Sequence, residues 1–434
     1  MVSLFSILIL IFGIVLLPVF ADADTDSMLE TGRVVNARMK SLAAGSDKDF
    51  QDKTSEIKAI HMAGSLPDNF VPSEDNIVSV PDSKYPVYIF FDDTNESGIM
   101  YFYTEADTVK MNQDSSFLFA NNIALTSIIG LADWDSSSVK SMNGLFLNAR
   151  SLVDALALRN WDTANVLDMR KLFCGCISVL FIDVTNWNTG KVQSMSNMFQ
   201  VGDDWKGNGQ LREIIGLGDL DVSNVTDMTS MFYGAGQMIT YDIDRWDVSK
   251  VESMNHMFCD NFNLRSLDLS AWDVSSLKTI YNMFNDDTKL RTIGNVSHWN
   301  TVNLIDAGAW LNNASSFIGD KDGYLDLSGW NTGNLKSVGE MFYGTKIYKL
   351  DLSGWTFDSI TNDVWEGTGW GIYYATGNSS ESMKGFGSMF CCTPNLTTIC
   401  ITQAGMDSYK AAVERGVNTL DMWTATKAGG FTVK

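Results

Sequence analysis

The chain has 434 residues, is 45% hydrophobic and only 19% charged, and carries a formal charge of −21 with a pI near 4.4. Such a composition belongs to a folded chain rather than a disordered one. The acidic excess excludes the clustered Lys and Arg that grip nucleic-acid phosphates or an anionic membrane surface.

Residues 1–23 read as a signal peptide: an uncharged, apolar run from Leu4 to Phe20, then Ala21-Asp22-Ala23 with small residues suited to cleavage after Ala23. The apolar length also permits an uncleaved anchor. No second stretch is long and apolar enough to span a bilayer, so no membrane span is expected after leader cleavage. Residues 24–106 are expected to form an N-terminal cap. Its first part, Asp24–Ile60, predicts one or two amphipathic helices, with Met28, Leu29, Val34, Val35, Met39 and Leu42 at helical spacing and Gly45 as a break. Its second part predicts a hairpin, Val87–Phe91 and Ile99–Tyr103 around a polar turn.

From residue 107 to 400 one pattern recurs about every 26 positions, best seen in Trp246-Asp247-Val248-Ser249-Lys250-Val251-Glu252-Ser253-Met254-Asn255-His256-Met257-Phe258. Copies open at Trp134, Trp161, Trp187, Leu220, Trp246, Trp272, Trp299, Trp330 and Trp355. Before each opening, apolar and polar residues alternate, as in Leu267-Asp268-Leu269, which predicts a short strand with Asp268 facing out. After it, Val251, Met254, Met257 and Phe258 lie on one face of a predicted short helix, with Ser249 and Glu252 as a capping box.

These two halves predict a leucine-rich-repeat-like α/β solenoid of about ten coils, each a short strand plus a short helical turn, capped at both ends. Its core residues would be Trp134, Phe146, Trp161, Phe173, Trp187, Phe199, Phe232, Trp246, Phe258, Trp272, Phe284, Trp330, Phe342, Trp355 and Phe390. Residues 401–434 would form the C-terminal cap, with a helix over Met406–Arg415 ended by Gly416.

The outward strand position, four before each opening residue, reads Asp183, Gly216, Asp242, Asp268, Asn295, Asp326 and Asp351. Carboxylates one strand spacing apart, ~4.8 Å, repel by about 1 kcal/mol even in water. Solvent relieves that, or a bound cation does. Asp242, Asp268, Asp326 and Asp351 are therefore candidate metal ligands, and calcium, which favours oxygen donors, is the one cofactor they suggest. The Asp and Asn column directly after Trp reads as turn chemistry, and the Met column beside Phe as core.

Trp365, Trp370, Tyr373 and Tyr374 lie in an insertion that breaks the period, so repeat packing does not require them; they are the candidate ligand-binding residues. His256 is expected to be exposed. Six cysteines are too few for a disulfide framework, and Cys392 with Cys400 is the one plausible terminal staple. No catalytic motif is present in the sequence, so an enzyme is not expected.

Asp221-Val222-Ser223-Asn224-Val225-Thr226-Asp227-Met228-Thr229-Ser230-Met231-Phe232 and Leu267-Asp268-Leu269-Ser270-Ala271-Trp272-Asp273 resemble the repeats of BspA-like, lipoprotein-associated leucine-rich-repeat surface proteins of bacteria. Asn112–Phe119 with Ser127-Ile128-Ile129-Gly130-Leu131 is similar to the start of such arrays. The resemblance covers residues 87 to 400. It implies a secreted or cell-surface protein that acts as an adhesion or recognition scaffold for host or matrix protein. A carbohydrate-binding or structural surface-layer protein is the alternative. It carries no catalytic residue across.

Overall fold

A computed structural model describes residues 27–202, 208–362, 384–419 and 431–433. The leader at 1–23 and the aromatic insertion lie outside the described residues.

Helix α1 spans Gly32–Ala44, buries Val35 and Met39 one turn apart, and ends at Gly45 with a left-handed φ of 62°. No second helix follows it. The chain instead wraps Lys40, whose Nζ donates to the carbonyls of Phe50 and Asp52 at 2.7 Å each, and then enters strand β1, Ala59–Met62. The hairpin is present: β2 (Tyr88–Asp92) pairs antiparallel with β3 (Ile99–Tyr103), Tyr88 opposite Tyr103. With β4 (Ser127–Ile129) these strands form a mixed sheet in the order β2-β3-β1-β4.

A second, parallel sheet joins β5 (Asp154–Ala155), β6 (Phe181–Asp183) and β7 (Glu213–Ile215). A third runs through β8 (Tyr324–Asp326), β9 (Lys349–Asp351), β10 (Thr398–Ile401) and β11 (Phe431–Val433). Helix α2, Gln403–Glu414, starts where the Thr402 hydroxyl accepts the Gly405 N–H at 3.2 Å, and Gly416 follows it at φ 84°.

The expected solenoid of strand-plus-helix coils is corrected by this architecture. The described residues hold two α-helices, both outside the repeats, and small parallel and mixed sheets. The reason lies in the backbone of the segment read as a helix. The residue two before its Phe is left-handed in copy after copy: Lys171 (φ 56°), Asn197 (58°), Ser230 (55°), His256 (55°), Asn282 (55°) and Glu340 (58°). An α-helix cannot pass through such a residue. Nor does the capping box form, because the Ser249 N–H donates to Asp247 Oδ1 at 3.1 Å and Glu252 pairs with Lys278 at 2.7 Å.

The amides of this segment are spent in alternation. Those of Met254, His256, Phe258 and Asp260 donate to the next copy, to the carbonyls of Thr279, Tyr281, Met283 and Asn285, at 2.9 to 3.1 Å. Those of Met257 and Cys259 donate back three residues, to Met254 and His256. The same four forward bonds leave Met142, Gly144, Phe146 and Asn148. Hydrophobic period alone cannot separate this arrangement from a helix, since both bring residues three and four apart to one side.

Every named core residue is buried, Trp187 being the most accessible at 6%. Phe119, Phe146, Phe173, Phe199, Phe232, Phe258 and Phe284 stack in succession with centroids 5.3 to 6.0 Å apart. From Trp161 to Trp355 the tryptophans that open the copies donate Nε1–H back to a carbonyl of the preceding copy, as in Trp161 to Leu131, Trp272 to Ile243 and Trp355 to Leu327, at 2.8 to 3.0 Å. Trp134 instead donates to the Met62 sulfur, and Trp310, outside that column, has no acceptor among the described residues. An indole buried without that acceptor would leave a costly orphan donor. Removing a ring from the stack should open a cavity on both sides. Phe258→Ala is expected to destabilise the chain by about 3–5 kcal/mol, read as a lowered denaturant midpoint; a loss below about 1 kcal/mol would contradict this packing.

Candidate functional site: a groove between β7 and the next repeat

On the strand side, a second series of backbone bonds links neighbouring copies. Leu180 N–H donates to Val153 O, Arg212 to Leu180, Arg265 to Ile239, Arg291 to Arg265, Ile318 to Arg291 and Lys346 to Phe317, all between 2.8 and 3.1 Å. Among the described residues the step from Ile239 to Arg212 is missing. The amides of Ile239, Thr240, Tyr241 and Asp242 find no acceptor there, and β7 has no strand partner on its following side.

A groove of about 650 Å³ opens at that step, walled by Glu213–Asp219 on one side and Gln237–Asp242 on the other. Ile215 and Ile239 stand exposed along it, at 37% and 52%. Tyr241 forms a firm floor: its ring packs on Phe232 at 4.5 Å and its hydroxyl donates to Asn261 Oδ1 at 2.5 Å. Asn261 in turn donates its N–H to Asp287 Oδ1 at 2.8 Å. Burial, and then the nearby Asp287, holds the Tyr241 phenol well above its ordinary range, so this floor is uncharged.

The break has a local cause. Strand β7 belongs to Glu213-Ile214-Ile215-Gly216-Leu217-Gly218-Asp219, and Gly216 at φ 81° turns the chain into a short 3₁₀ segment at Leu217–Asp219. A Cβ on Gly216 would sit 2.6 Å from Thr185 Cα, so only glycine fits. Register pairs Asp183 with Ile215 rather than Gly216, so the motif carries one extra residue and sets an isoleucine in the acidic column. Ser127-Ile128-Ile129-Gly130-Leu131-Ala132-Asp133 repeats the motif with Gly130 at φ 85°, and the Val153 amide after it likewise finds no acceptor in the preceding copy.

The proposed calcium ligands are not brought together as one set. Asp326 and Asp351 are direct Cα partners, but each carboxylate caps its own turn, accepting from Ser328 and Ser353 at 2.9 Å. Tyr324 adds a hydroxyl bond to Asp351 at 3.2 Å. Asp268 accepts from Ser270, and its neighbour across the Ser266–Thr292 bridge is Gly294, not an acid. Asp242 lies at the groove, where a Cβ on Gly218 would meet its Oδ2 at 2.7 Å. Among the described residues no three His, Cys, Asp or Glu side chains gather as metal ligands. The column after Trp does turn work, Asp247 and Asp273 accepting from Ser249 and Ser275. Trp365, Trp370, Tyr373 and Tyr374 lie outside the described residues. No disulfide joins Cys392 to Cys400.

A family model described as "Mycoplasma protein of unknown function, DUF285" matches residues 112–214, 209–324 and 294–364, a continuous stretch covering more than half of the chain. The chain belongs to this family. The DUF285 matches take in both walls of the groove and the copies on either side of it. No curated protein matches the chain.

Beside the groove, the DUF285 repeats bury several ionisable groups that the sequence presents as surface. His256 is buried against Asn282 Nδ2, 3.1 Å from its Nε2, and burial lowers its pKa to about 4. Burial raises Asp260 to about 6 and Asp306 to about 7; Asp306 Oδ1 accepts the Gly308 N–H at 2.8 Å. An acid raised on folding contributes its stability fully below its unfolded pKa and loses it as pH climbs through the folded value. For Asp306 that window runs from 3.8 to about 7. Asp306→Asn keeps the acceptor for Gly308 and removes the titration. The variant should therefore gain on the parent between pH 4 and 7, by on the order of a few kcal/mol, in paired melts; a difference independent of pH would contradict the assignment.

Proposed function

We propose that this DUF285 chain is an exported recognition scaffold, non-enzymatic and displayed at the cell surface, that holds an extracellular protein against its repeats. The finer resemblance to BspA-like surface proteins supports this reading, as does the apolar leader-like run from Leu4 to Phe20. The observation that carries it is the groove. Most copies join through backbone bonds on the strand side, whereas here two exposed isoleucines flank an Ile239 amide that has no acceptor in the preceding copy. Exposed apolar surface rimmed by polar groups is how partner sites present themselves.

The reading is tested with the purified chain immobilised on a sensor surface, facing a panel of extracellular-matrix proteins and a glycan array. Saturable retention of at least one matrix protein is expected, weakening as salt rises because the scaffold is strongly acidic. Retention of glycans alone, release of reducing sugar, or self-association without any ligand would overturn it.

A further inference from the structure

The groove has features that narrow the chemistry of its occupant. Its Ile239 wall is backbone as much as side chain: among the described residues the Ile239 amide has no backbone acceptor in the preceding copy. The counterparts of Ile239 in other copies, Leu180, Arg212 and Arg265, bind a carbonyl of the preceding copy. What is missing at the groove is therefore a strand. A volume of about 650 Å³ falls in the range of ligand sites, ~300–1,000 Å³, and admits a short extended segment. Two exposed apolar side chains, Ile215 and Ile239, offer contacts to alternate residues of such a segment. Around them the exposed charges are Glu213, Asp219 and Asp242 against Arg212, three acids to one base.

We propose that the groove takes an extended peptide segment of a partner protein, alternating basic and apolar residues, added as a strand between β7 and residues 238–242. A main-chain carbonyl of the segment accepts from the open Ile239 amide, and its main-chain N–H groups donate to the carbonyls on the β7 side, Arg212 first, that Ile239 leaves unmet. Its apolar side chains cover Ile215 and Ile239, and its basic ones answer the acidic rim. This is strand addition at an unpaired edge. The recurrence of the Ile-Ile-Gly-Leu-x-Asp motif at residues 128–133, again with an open amide after it at Val153, makes the gap a repeated feature rather than a single accident of the long copy.

The inference rests on the recognition reading, and its test separates the two. Fluorescence anisotropy of the full chain is measured with a labelled (Lys-Val)₄ peptide, with (Glu-Val)₄, and with (Lys-Val)₄ N-methylated at alternate residues. The first should bind saturably and the second should not. N-methylation should weaken binding at least tenfold. Ile239→Ser and Ile215→Ser, both on exposed side chains, should do the same while leaving the melting transition in place. No binding of (Lys-Val)₄, or binding that N-methylation and both variants leave unchanged, would overturn the proposal. A matrix protein retained equally by the parent chain and by Ile239→Ser would also sink the groove, while leaving the recognition reading standing.

Discussion

The alternation of backbone amides in the Met-Phe half of each repeat governs the rest of the molecule. Every second N–H turns across to the following copy and the others close turns within their own. Left-handed residues four apart in most copies, such as His256 with Asp260 and Asn282 with Asp286, make that geometry possible, and it forces a fixed distance between neighbours. From that spacing follow the phenylalanine stack, the burial of the methionines, and the tryptophan N–H bonds to the preceding copy. The series runs from Phe119 to Phe342 without a break, through Leu311, which takes a phenylalanine position yet keeps its bond to Met341 O. Side-chain identity can slip at a position where the backbone bond holds.

The strand side is looser, and its looseness gives the molecule a place for a partner. Sheets end after β4 and after β7, each followed by a left-handed glycine and a 3₁₀ segment. A continuous ladder on the Met-Phe side can tolerate such gaps, because neighbouring copies stay joined through the other half. Openness at β7 thus demands no mobility of the repeats. It sits over a floor of stacked aromatic rings and buried, hydrogen-bonded polar groups.

Much of the repeat was legible in the sequence: its period, its Trp and Phe core, the turn-forming Asp column, the β2–β3 hairpin and helix α2. The helical half was not, because Val251, Met254, Met257 and Phe258 have the same spacing in a turn ladder as in a helix. What separates the two is a left-handed residue at a position held by Lys171, Asn197, Ser230, His256 or Glu340, and of these only Asn hints at it. His256 misled for a related reason: its counterparts are polar, yet Ser230, His256, Asn282 and Glu340 are buried there, with Lys171 and Asn197 half-buried. The groove had a signal that spacing alone hid. Gly216 stood out in the acidic column, but the extra residue of the motif, which brings Ile215 there, shows only once β6 and β7 are in register.

Site-resolved hydrogen exchange bears most directly on this account, since it reads the amides one by one. Met254, His256, Phe258 and Asp260 should exchange slowly and together, as members of one cooperative unit, while Ile239, Thr240 and Asp242 exchange fast. Slow exchange at every residue from Met254 to Asp260, as in a helix, or protection at Ile239 equal to that at Arg265, would contradict it.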